Sequence, residues 1–205
     1  MRPDLRLPLA CLAVAAVATA LSRVGARDPS TWLMEVAPTL LAVPILVATF
    51  RRFRFTSLVY VALAIHAVIL ATGAHWTYAE VPIGFWARDA FGLSRNHFDR
   101  LGHLAQGFVP ALVTRELLLR TSPLRPGRWL VALVTLSVLG VSACYEFIEW
   151  WAALLLGQGA DAFLGTQGDP WDTQWDMFLA LCGALLAQVT LGRWQDRQLE
   201  RRVAP

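Results

Sequence analysis

Apolar stretches of about twenty residues recur along this chain, separated by short arginine-bearing segments, and that pattern limits the folds open to it. The hydrocarbon core of a bilayer is about 30 Å thick and takes roughly 20 apolar helical residues to cross. Six stretches reach or approach that length: 6–24, 32–50, 56–74, 99–119, 129–151 and 176–192. Backbone groups in hydrocarbon must bond within their own segment, so each stretch is expected to be helical. The expected fold is all-α: a polytopic membrane helix bundle with about six transmembrane helices, one domain over 1–205. Pro38, Pro44 and Pro110 fall inside these stretches, where neighbouring helices can satisfy the freed carbonyls. The last stretch is short and opens on a charge, so tilt or shielding by its neighbours is expected. Composition agrees: 56% of the 205 residues are hydrophobic, 16% are charged, and the mean hydropathy is +0.48.

The first stretch also fits a secretory signal, with Met1 to Arg6 as a charged start, Leu7 to Leu21 as its apolar core and Ala18-Thr19-Ala20 as a cleavage site. Retention as a helix and removal both leave the downstream orientation unchanged. The three cysteines, Cys11, Cys144 and Cys182, are far apart in apolar runs and read as small core residues.

Orientation follows from arginine, which supplies all eighteen basic residues. One set of loops and ends holds Arg2, Arg6, Arg51, Arg52, Arg54, Arg120, Arg125, Arg128, Arg193, Arg197, Arg201 and Arg202. The opposite set holds Arg23 and Arg27, then Arg88 and Arg95 set against Glu80 and Asp89. The outer loop 157–175 has no basic residue but contains Asp161, Asp169 and Asp172. By the positive-inside rule both termini are cytoplasmic, and the tail 193–205 is a cytoplasmic extension suited to touching anionic lipid. A net charge of +3, with the arginines scattered between apolar runs, predicts no nucleic-acid partner.

On that map the ionisable residues gather at the outer end. Asp99 and His103 lie four apart at the start of the fourth stretch, and Glu146 and Glu149 lie three apart near the outer end of the fifth. Each pair therefore shares a helix face. Asp172 and Asp176 enter the sixth stretch. Intramembrane ionisable groups are candidates for function, and crowded carboxylates need protons, arginines or a metal for compensation. Asp99, His103, Glu146, Glu149 and Asp176 are the candidate catalytic residues, and the same five with Asp172 are the candidate metal ligands. Candidate substrate contacts are His75, Tyr78 and Glu80 after the third stretch, Asn96 and His97 before the fourth, and Gln106 within it. Gln167, Asp169, Trp171 and Gln174 extend that set into the outer loop 157–175 before the sixth stretch.

Plainer readings stand beside these. Asp169, Asp172 and Asp176 could act as caps and first-turn anions of a helix. Asp99 with Arg100 could be a surface pair, Arg115 with Glu116 an interfacial ion pair, and His66 a packed core histidine. Glu146 and Glu149 resist such a reading, since they lie in an apolar run with no cation near them in sequence. The connector 75–98, with Pro82, Gly84, Trp86 and Phe91, is long enough to cover the site or simply to lie on the interface.

Four strings carry a family likeness: Thr77-Tyr78-Ala79-Glu80-Val81-Pro82; Arg95-Asn96-His97-Phe98-Asp99-Arg100 with Gly102-His103; Tyr145-Glu146-Phe147-Ile148-Glu149-Trp150; and the run from Leu164 to Met177. Together they resemble the YjdF-like family of bacterial inner-membrane proteins, a domain of unknown function, over roughly residues 60–200. The resemblance implies a multi-pass protein of the bacterial inner membrane and carries no activity. A sparser likeness is to VanZ-like envelope proteins, through Asp99-Arg100-Leu101-Gly102-His103, then Glu146 or Glu149, Gln167 and Asp176 in order.

Carboxylates with imidazole suit a divalent metal ion. The leading expectation is thus a metal-dependent enzyme acting on a lipid or lipid-linked envelope substrate at the outer leaflet, with membrane lipids as its surroundings. The alternative is a non-enzymatic ion- or lipid-binding protein, a transporter or an envelope assembly factor. Whether the chain is an enzyme stays open, because no nucleophile elbow, P-loop or HExxH motif is present. Transport has little support: His66 is the sole titratable group deep in the cytoplasmic half, and no inverted repeat is evident.

Overall fold

The structure is a computed structural model and describes residues 3–156 and 166–203. The described residues form seven helices: α1 (Pro3–Arg23), α2 (Pro29–Thr49), α3 (Ser57–Trp76), α4 (Pro82–Phe91), α5 (Phe98–Thr121), α6 (Arg128–Leu156) and α7 (Asp172–Val203). Five of them, α1, α2, α3, α6 and α7, are long and apolar enough to cross a membrane. The chain is therefore a polytopic helical membrane protein. Large apolar side chains such as Leu41, Ile45, Leu136, Leu155 and Val189 face outward, as lipid-facing positions should.

The ends of the helices follow from local chemistry. Asp28 caps α2, its Oδ1 accepting from the Thr31 amide at 2.6 Å, and Pro29 stands at the first helical turn, where no amide is needed. α3 stops because Thr77 and Tyr78 take left-handed backbone angles (φ 60° and 39°). Pro82 then opens α4, so a short helix occupies much of the connector expected over 75–98. Other boundaries also shift, and α7 already begins at Asp172, inside the loop expected over 157–175. α6 runs five residues past 151, and α7 continues through most of the tail expected from 193. That part of α7 is held rather than free: Gln195 is fully buried and donates to the Leu112 carbonyl at 2.8 Å. Of the loop 157–175, the stretch 157–165, including Asp161, lies outside the described residues.

α5 is long enough to cross but does not have the apolar composition of the other five. It is packed among α3, α6 and α7, and α7 is its closest neighbour. The contact is tight because it is made of glycine: a Cβ on Gly107 would overlap the Ala180 carbonyl, and one on Gly183 would overlap the Leu104 carbonyl. α5 and α7 run parallel. Arg95 meets Asp172 at one end, and Arg115 meets Asp196 at 2.8 Å at the other. α3 runs antiparallel to α5, since Thr56 at its start donates through its amide and hydroxyl to Glu116 near the end of α5 (3.0 and 2.6 Å). The bundle thus has an arginine-rich end and an opposite end that collects the turns after α1, α3 and α4.

Arg115 and Glu116 are both buried, and the structure replaces the expected pairing between them. Arg115 bonds Gln195 and Asp196, while Glu116 bonds Thr56 and Arg120. Neighbours in a helix point about 100° apart, so each meets a different partner helix.

Candidate functional site

Asp99 and His103 sit one turn apart on α5, and Asp176 sits in the second turn of α7. Their parallel packing brings the three together. His103 Nε2 is 3.5 Å from Asp99 Oδ1 and 3.7 Å from Asp176 Oδ1. One donor atom from each of the three lies within 4.8 Å of the others. All three are buried, Asp176 to 2% exposure. Asp99 Oδ2, His103 Nδ1 and Asp176 Oδ1 have no hydrogen-bond partner.

Glu146 approaches from α6. It is 6% exposed, and the Thr173 side chain stands within hydrogen-bonding reach of its otherwise unpartnered carboxylate. Gln106, one turn beyond His103, likewise has an unpartnered buried Oε1. Unsatisfied buried polar atoms are rare, because each forfeits its hydration without replacement. Several of them together, most of them carboxylate oxygens, leave a negative pocket suited to a cation. Glu149 is half-buried, within electrostatic range of Glu146 and His103 but outside the close triad.

Two acidic candidates have other partners. Asp172 is engaged by Arg95 at 2.6 Å, and Arg95 also donates to the Thr166 carbonyl. Asp169 accepts from Arg100 at 3.1 Å and caps the Trp171 amide at 2.9 Å. Arg100 is therefore not paired with Asp99; it reaches Asp169 and lies 4.9 Å over the Trp175 ring. Together these contacts pin the entry of α7 to that of α5.

The proposed substrate contacts divide. Tyr78 belongs to the pocket: it is buried, close in charge to Glu35, Asp99 and Glu149, and its ring occupies the space opposite Gly102. Burial first, then those negative charges, hold its hydroxyl well above the usual tyrosine range, so it stays protonated. Asn96 is a structural clamp, donating to the Val81 carbonyl and accepting from the Phe98 amide, and Gln167 donates to the Asn96 carbonyl at 2.8 Å. His97 stands at the start of α5, where partial burial and then Arg100 and Arg95 push its pKa down. His75 and Glu80 serve elsewhere: the His75 ring bonds the Ser22 carbonyl at 2.9 Å, and Glu80 pairs with Arg27. Trp171 (64% exposed) and Gln174 are on the outside.

Sequence reasoning missed Glu35. It is buried on α2, beside Tyr145 and within electrostatic range of Asp99 and His103. The available signal was depth: α2 starts at the same end as α5, and Glu35 is the lone carboxylate of its apolar run. The pocket therefore draws carboxylates from α2, α5, α6 and α7.

Residues 7–197 match a family described as "Predicted membrane protein (DUF2238)". The chain belongs to that family. It is 53% identical over 178 residues to a protein of Escherichia coli (strain K12) named "Inner membrane protein YjdF", covering 87% of this chain and 85% of that one. With its apolar helices, this places the chain in a bacterial inner membrane as a multi-pass protein. No solved structure matches. The family matches add nothing to the VanZ-like resemblance, which rests on the order of polar residues alone.

Proposed function

We propose that the pocket binds a divalent metal ion and uses it on the polar head of a lipid or lipid-linked substrate at the outer leaflet. The observation that carries this reading is the convergence of Asp99, His103 and Asp176 within 4.8 Å, with the Glu146 carboxylate in electrostatic range of His103 and Asp99. Ligands about 2.3–2.6 Å from a calcium-sized ion can lie up to about 5.2 Å apart, so this spacing suits a hard cation without rearrangement. A zinc-sized ion, with ligands at about 2.0–2.2 Å, would need a modest contraction.

Such an ion would lower the pKa of a bound water and polarise a phosphoryl or acyl oxygen. Glu146, with only the Thr173 side chain in hydrogen-bonding reach, is the group available to take a proton, and Tyr78 is a protonated hydroxyl able to donate a hydrogen bond. Their placement supports an enzyme over a purely structural lock, because a lock would have its polar atoms paired.

The test is metal content and lipid turnover in the purified protein. About one bound Ca²⁺ or Mn²⁺ per chain is expected, lost in His103→Ala and Asp176→Asn but kept in the exposed control Asp89→Asn. Absence of stoichiometric metal, with unchanged thermal stability on adding these ions, would overturn the reading. Metal retained in Glu146→Gln with altered lipid composition of the cells lost would favour catalysis. Metal binding with no lipid change in wild type would favour the binding protein.

A further inference from the structure

A second site lies in the half of the bundle away from the polar pocket. α1, α2, α3 and α5 line a half-open cavity of about 530 Å³, within the range of about 300–1,000 Å³ usual for small-molecule sites. Its walls are apolar along most of their length, with Leu9, Val43, Leu46, Ala67 and Val113 among them. The ionised exception among its described lining residues is Arg51, which follows α2 at the arginine-rich end. An apolar slot with one guanidinium at its mouth is complementary to an anionic amphiphile. At that face of an inner membrane, the abundant molecules of this chemistry are anionic phospholipids.

The cavity has a consequence for the polar pocket. α2 and α5 stand on facing walls of the cavity along this length. α2 also carries Glu35 toward Asp99 and His103 on α5. Thr39, on the cavity wall, is one turn from Glu35, and Pro110, on the facing wall, is one turn from Gln106. Whatever fills the slot sets the spacing of the two helices just beneath the pocket.

We propose that this cavity holds the acyl chain of an anionic phospholipid of the cytoplasmic leaflet, its phosphate at Arg51, and that the bound chain buttresses α2 under Glu35. The proposal is independent of metal in the polar pocket, and metal content measured on the same samples keeps the two apart.

The experiment uses native mass spectrometry of the full chain, purified in detergent and equilibrated with dioleoyl phosphatidylglycerol or dioleoyl phosphatidylcholine. One tightly retained phosphatidylglycerol is expected, preferred over phosphatidylcholine about five-fold, as one arginine near a surface warrants. Arg51→Gln should abolish the preference, and Ala42→Trp, on the cavity wall, should reduce retention of both lipids. Because a bulky variant can fail to fold, wild type is also labelled with a phosphatidylglycerol bearing a diazirine in its acyl chain. Cross-links should concentrate on peptides holding Val43, Leu46 and Val113 rather than on those holding the lipid-facing Leu136 and Val189. Cross-links spread evenly over both sets, or a lipid preference unchanged in Arg51→Gln, would overturn the proposal.

Discussion

At the scale of single residues, two buried carboxylates behave in opposite ways. Glu116 accepts from the Thr56 amide, the Thr56 hydroxyl and Arg120, so it is fully satisfied although it has no exposed surface. Glu146 is nearly as buried and has only the Thr173 side chain within hydrogen-bonding reach. The first is a structural group, and its loss should cost stability: Glu116→Ala leaves a buried amide and hydroxyl unpaired and strips a partner from Arg120, an effect of about 3 kcal/mol. Chemical unfolding in mild detergent measures it, and a loss under about 1 kcal/mol would contradict this role. In sequence Glu116 has arginines close by and Glu146 has none. The Thr56 amide and hydroxyl that complete the shell of Glu116, however, come from another helix and show only in the fold.

At the scale of elements, α5 and α7 decide whether a pocket exists. Their parallel, glycine-mediated approach sets Asp176 beside Asp99 and His103. Gly107→Val places side-chain atoms where the Ala180 backbone stands, so the helices must separate. The expected cost is at least the roughly 1–3 kcal/mol of ordinary overpacking, because backbone cannot yield as a side chain can. Metal retention should fall with it while the protein remains membrane-inserted. Wild-type metal affinity in Gly107→Val would show that the triad does not depend on this contact. The i,i+4 spacing of Asp99 and His103 was legible as a shared face, and so was their depth. That Asp172 would turn to Arg95, and that Glu35 would join from α2, was not, since neither follows from the period of one helix.

At the scale of the whole molecule, the arginine-rich end should face the cytoplasm. In a background with Cys11, Cys144 and Cys182 replaced by alanine, Asp89→Cys should react with an impermeant maleimide in cells whose outer membrane is permeabilised. Arg125→Cys should react only after the inner membrane is opened. The reverse pattern would invert the topology. Both sites are on connections or a short helix outside the packed spans, so the substitutions disturb little.

The all-helical type, the approximate positions of the long apolar helices and the clustering of acids at one end were determined by sequence alone, because bilayer thickness and backbone satisfaction act on local stretches. α5 shows where that reach stops. Its polar content is too high for a lipid-facing span, and its burial among α3, α6 and α7 is a matter of packing. Which acids converge, which are neutralised by arginine and which stay unpaired was decided only by the tertiary structure. Those outcomes depend on contacts between residues 60 to 81 positions apart, set by how helix surfaces fit rather than by any spacing along the chain.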